Sequence, residues 1–227
     1  MSFKIWVNGQ PLPPRYWVRT FWKDVDRATR FAWSDAVADR PLLTPQDIEK
    51  QLVTRNQWLW SHVFDYFREE EFHFLPAEEL MLLSNAVRQV RAVASEMNLD
   101  GVATPDQLNR ARVDFGKIVS LMGFDRYDDP DAYFLGKTIE SQLATAWPPD
   151  LDHLRFRTGQ DSTGDPALWV WAFVAETGEY EEARFLGRTD LIEDIVEPIA
   201  REVAPEGRLY LRFRSTLDLP EVEGVPA

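Results

Sequence analysis

Cysteine is absent from the 227-residue chain. That excludes a disulfide framework, a thiol nucleophile and a thiolate metal site, and it fits an intracellular setting. No run of eighteen apolar residues occurs, which excludes a spanning helix. Residues Met1 to Gly9 lack a basic region followed by an apolar core, so no secretory signal is expected there. The expected location is the cytoplasm. Positive charge is in deficit, giving a formal net charge of −13. An acidic surface repels phosphate backbones, so nucleic-acid binding is disfavoured, while solubility and a basic partner are favoured.

Aromatic residues, by contrast, are plentiful. Nine Trp and fourteen Phe accompany a hydrophobic content of 44%, enough for a real core with rings to spare for a partner surface. The densest stretch runs from Gly159 to Val174. It links two alternating segments through turn-formers and ends in Leu168-Trp169-Val170-Trp171-Ala172-Phe173-Val174, apolar on both faces. Such a segment predicts a central strand, because a strand open to water shows one polar face. Each of its faces then needs a cover.

Upstream, Phe3 to Val7, Asn8-Gly9 and Gln10 to Leu12 predict a short hairpin, cut off by Pro11, Pro13 and Pro14. Residues 17 to 38 have helical spacing through Trp17, Phe21, Val25, Ala28, Phe31 and Ala32. Thr44-Pro45 opens a helix to about Arg68, Leu75-Pro76 one ending near Asn98, and Thr104-Pro105-Asp106-Gln107 a capping box leading to about Met122. Asp129-Pro130-Asp131 opens a last helix, which Pro148-Pro149 terminates. Beyond that pair come alternation over His153 to Arg157, the two-faced strand, a helix capped by Thr189 with Pro198 inside it, and alternation over 208 to 216. The expected fold is α+β: a hairpin and helical bundle over 1–147, a β-β-α-β sheet domain over 150–216, and a mobile tail over 217–227.

Several motifs suggest chemistry. Arg55 and His62 match the Arg-x(4–6)-His pattern and resemble the HEPN ribonucleases, all-helical bundles. That likeness implies a metal-independent attack on RNA, with both residues on one helix face. Residues Glu96 to Gln107 resemble an EF-hand loop, but Gln107 cannot supply the bidentate carboxylate of the twelfth position. Asp125, Asp128, Asp129 and Asp131 cluster at a helix start, where capping explains them. Gly136-Lys137-Thr138 lacks the earlier glycine of a phosphate loop, and Asp161-Ser162-Thr163-Gly164 has one residue too many for an aspartic protease. No metal or cofactor is expected, and non-enzymatic function is the favoured reading.

On the last strand Leu209, Leu211 and Phe213 alternate with Arg208, Tyr210, Arg212 and Arg214. The second set can share a face with Trp169, Trp171, Phe173, Arg155 and Arg157, depending on register. Aromatics interleaved with Arg can stack single-stranded RNA, or be buried within the chain or under a protein partner. Gly159 and Gly164 permit positive φ, while Asp161 and Asp165 either brace the loop or form a polar rim for a partner.

Gly159-Gln-Asp161-Ser-Thr-Gly164-Asp165-Pro166-Ala167, with the strand, helix and Arg-Phe-Arg strand after it, resembles a group of small bacterial proteins of uncharacterised function. They share a Gly-x-Asp-x-Ser/Thr-Gly-Asp-Pro-Ala loop before a Val- and Trp-rich strand. The likeness covers residues 152 to 216 and implies a regulatory or neutralising role in toxin–antitoxin-like neighbourhoods. The expected function is therefore protein binding, as an antitoxin-like or defence-system accessory subunit whose partner is a toxin or effector.

Overall fold

Helix ends in this protein are set by local capping chemistry. At Thr104 the side chain accepts the Gln107 N–H (3.3 Å), and the Gln107 amide oxygen accepts the Thr104 N–H (2.8 Å). Asp129 accepts the N–H groups of Asp131 and Ala132, both at 2.9 Å. Gly123 takes the left-handed conformation (φ 56°) that ends the helix begun at Pro105.

A computed structural model describes residues 6–7, 10–11, 16–37, 67–96, 104–175 and 182–216. The chain is α+β. Its helices are α1 (Tyr16–Val37), α2 (Ala77–Glu96), α3 (Pro105–Met122), α4 (Pro130–Leu143) and α5 (Glu182–Val203). Its strands are β1 (Trp6–Val7), β2 (Gln10–Pro11), β3 (Leu151–Gln160), β4 (Pro166–Val174) and β5 (Arg208–Ser215). β1 and β2 pair antiparallel, and the larger sheet has the order β3-β4-β5. β3 is antiparallel to β4, whereas β5 is parallel to it, with α5 as the crossover. No helix among the described residues is long and apolar enough to cross a membrane.

Two compact units divide the chain: Arg15–Phe124, and Met1–Pro14 with Asp125–Ala227. In the first, Val18, Phe21, Trp22, Val25 and Ala28 form the buried stripe of α1. Phe21 meets Phe67 and Phe72 at centroid distances of 5.2 and 5.6 Å, and Trp22 meets Phe124 at 4.9 Å. Leu83, Val87 and Val90 of α2, with Ala111, Ile118 and Met122 of α3, complete this core.

In the second unit α4 and α5 lie on one side of the sheet, against buried Leu154, Phe156, Leu168, Val170, Ala172 and Val174. The division at Phe124/Asp125 differs from the boundary that Pro148-Pro149 suggested. The reason is α4, which belongs with the sheet and is buried continuously from Ala132 to Ile139. Gly136 permits this approach: a Cβ there would lie 2.5 Å from Tyr127 Cε1 and 2.6 Å from Phe156 Cδ2. This packing, not phosphate binding, is what Gly136 supplies.

Thr189 does not cap a helix. α5 begins at Glu182, and the Thr189 hydroxyl donates to the Leu186 carbonyl at 2.8 Å inside it. The helix also continues through Pro198, which is exposed, so the carbonyl left without a donor can be hydrated. The helix expected from Thr44 falls outside the described residues except at its end, as does the tail over 217–227.

Two glycines give opposite predictions. Gly136→Ala should lower the unfolding free energy measured by chemical denaturation by about 1–3 kcal/mol, overpacking outweighing helix propensity. Gly116→Ala, at an exposed position of α3 with nothing within 4 Å of the new Cβ, should raise stability by about 0.5–1 kcal/mol.

Candidate functional site

The β-period of two sorts the sheet residues onto two faces, and the register decides which of them meet. Opposite the helices, β4 presents Trp169, Trp171 and Phe173. Across β3 these face Arg157, Arg155 and His153; across β5 they face Tyr210, Arg212 and Arg214. The register thus brings Trp169, Trp171, Tyr210, Arg212 and Arg214 onto one surface, with the three aromatics of β4 half-buried.

Most of this surface is tied up with itself. Trp169 stacks on Tyr210 at 5.6 Å, nearly coplanar at 12°, and the Arg157 guanidinium lies 6.0 Å from the Trp169 centroid. A Cβ on Gly159 would lie 3.2 Å from the Trp169 ring, so this glycine gives the indole room. Gly159 lies within β3, and of the two candidate loop glycines the left-handed one is Gly164 (φ 83°). At the other end His153 stacks on Phe173 at 4.2 Å. Arg155 donates to Asp128 Oδ1 through Nε (3.2 Å) and Nη2 (2.9 Å). Trp171 and Arg212 differ: neither side chain has a hydrogen bond, ion pair or ring stack among the described residues.

The 161–165 loop braces one corner. The Asp161 carboxylate accepts the Thr163 N–H (2.9 Å), Thr163 hydroxyl (2.7 Å), Asp165 N–H (3.0 Å) and Tyr210 hydroxyl (3.0 Å). Arg208 Nη1 lies 3.2 Å from the same carboxylate, and Arg208 Nη2 pairs with Asp165 at 2.7 Å. The Asp161 side chain is only 3% exposed, against 53% for Asp165. Asp161 is therefore committed to the loop and not presented as a rim. Its carboxyl is held down at about 2, chiefly by the Thr163 hydroxyl, with the Thr163, Tyr210 and Asp165 donors adding to the effect.

A polar cluster on the helix side of the sheet has no local signal in the residue order. Tyr127 stacks beside Phe156, its hydroxyl donating to Glu140 at 2.7 Å, while Arg126 pairs with Glu140 and donates to the Leu154 carbonyl (3.2 Å). Buried Lys137 sits 5.9 Å from the Tyr127 ring. Burial, then the Glu140 charge, pushes the Tyr127 phenol well above its usual range. Such a set anchors α4 to β3; only tertiary contact assembles it.

Two of the four aspartates at the start of α4 have structural tasks. Asp129 caps the helix and accepts from the N–H and hydroxyl of Thr158 (2.9 and 2.8 Å), while Asp128 holds Arg155. Among the described residues no group of three or more His, Asp and Glu is arranged to hold a metal ion. Arg55 and His62 lie outside the described residues. No family model matches the chain, and no curated protein matches it significantly.

The loop makes a pH prediction. Because the folded pKa of Asp161 lies below the ordinary 3.8, its stabilisation is complete above about pH 4 and lost as pH falls through about 2. Asp161→Asn should therefore lower the thermal midpoint at pH 7, with the gap to the native protein closing towards pH 2.

Proposed function

We propose that this chain is a non-enzymatic, cytoplasmic protein-binding subunit of regulatory kind, docking its partner through the Trp171 surface of the β-β-α-β unit. The observation that carries this reading is the central, half-exposed indole of Trp171, with Arg155 and Arg212 as its cross-strand neighbours. Trp, Tyr and Arg in a preorganised patch are the residue types that dominate interface energy. Tyr210, Trp169 and Asp161 form its braced border, so little side-chain freedom remains to be lost on binding.

RNA binding is the weaker alternative. A base needs a free ring face, and Trp169 already has Tyr210 and Arg157 against it, while Phe173 has His153. The net charge of −13 works in the same direction. An antitoxin-like or defence-accessory role is the most concrete form of the proposal, supported by the Gly159 to Ala167 loop. A ribonuclease built on Arg55 and His62 gains no supporting observation from the described residues.

The overall acidity suits a basic partner at long range. The patch itself is cationic, because Arg157 and Arg212 are exposed without a carboxylate partner among the described residues. Contacts at the patch therefore favour carboxylates on the partner.

A photo-crosslinking residue at position 171, introduced in the source cells, should capture one protein; the same residue at exposed Asp190 on α5 should not. Trp171→Ala, compared with the native chain at a temperature where both are folded, should weaken binding of that protein by about 2 kcal/mol or more. Equal crosslinking at both positions, or recovery of RNA that is lost as salt rises, would count against the proposal.

A further inference from the structure

The two outer edges of the larger sheet are treated differently. On β3 the outward peptide groups are used. Leu154 O accepts from Arg126 Nε (3.2 Å), Phe156 N–H donates to Arg126 O (2.7 Å), and Phe156 O accepts from Asp128 N–H (3.1 Å). Thr158 N–H donates to Asp129 Oδ2 at 2.9 Å. The segment from Arg126 to Asp129 thus seals this edge.

β5 has no such seal among the described residues. Thr216 N–H donates to the Val174 carbonyl (3.0 Å), and Val174 is in register with Ser215. This turns the peptide groups of the even-numbered residues of β5 towards β4. Those of Leu209, Leu211 and Phe213 face outward, where no partner reaches them among the described residues. Arg208–Ser215 contains no proline and no bulge, and its charged residues are Arg208, Arg212 and Arg214. Leu209, Leu211 and Phe213 are also half-exposed along the helix-covered side.

We propose that the outer edge of β5 receives an extended segment of a protein partner, one alternating apolar and acidic residues. This rests on the reading of the chain as a protein-binding subunit and names the mode of binding. The apolar residues of the incoming strand lie beside Leu209, Leu211 and Phe213, and an acidic one beside Arg212, which is exposed without a carboxylate partner among the described residues. A second copy of β5 fits poorly. Antiparallel pairing centred on Arg212 sets that arginine opposite itself, like charges directly across the new ladder.

The test uses the full chain and a labelled heptapeptide alternating Glu and Val, with a matched peptide carrying Lys for Glu. The Glu peptide should bind at least about tenfold more tightly than the Lys peptide, and Arg212→Glu should invert that preference. Leu211→Pro removes an outward N–H without touching the β4 ladder and should weaken binding at least about tenfold. Independently of any variant, the peptide should slow hydrogen exchange at Leu209, Leu211 and Phe213 and leave Tyr210 and Arg212, already bonded to β4, unchanged. The proposal is overturned if exchange at those three amides is unaffected, if both peptides bind alike, or if they are protected in a dimer without peptide. Crosslinking at position 171 does not use this edge, so a partner captured there despite a silent β5 would sink the edge and leave the docking proposal standing.

Discussion

β4 organises the sheet half of this protein because it is apolar on both faces and hydrogen-bonded on both edges. A strand of that kind loses most if exposed, so it takes the centre and forces its neighbours into position. Leu168, Val170, Ala172 and Val174 are buried beneath α4 and α5, and the register they impose carries Trp169, Trp171 and Phe173 to the other side. The candidate surface is a consequence of that burial: the same alternation that fills the core sets out the row of rings.

The edges of the sheet obey a second constraint, that buried backbone groups must be paired. Asp129 meets it twice, capping α4 and accepting from Thr158 on β3. One carboxylate therefore ties a helix start to a strand edge, and the Tyr127–Gly136–Phe156 contact closes the gap behind it. With β3 closed in this way, β5 carries the edge left unsealed among the described residues.

Some of this was legible in the residues alone. The capping box at Thr104 and the N-cap at Asp129 depend on atoms two or three residues apart, so local sequence suffices to read them. The central strand was legible because no other environment suits Leu168 to Val174. Thr189 misled because a residue suited to capping can also bond back inside a helix, and the choice depends on where the helix begins. Gly159 misled for a related reason: a glycine can provide unusual backbone freedom or simply room, and here the Trp169 ring needs room. The Pro148-Pro149 break was read as a boundary between domains, yet it separates only a helix from the strand on which that helix packs.

Residue order alone accounts for what is local: the alternation of β3, β4 and β5, the helix caps at Thr104 and Asp129, the acidic balance and the absence of thiols. Which side chains are consumed and which remain available follows from how the strands meet. Asp161 and Trp169 look as suited to binding as Trp171 and Arg212 when read in order along the chain. Only the register separates them, because it sets Tyr210 and Arg208 beside the first pair and leaves the second without such contacts among the described residues. Availability depends on neighbours distant in sequence, and those are fixed when the strands align.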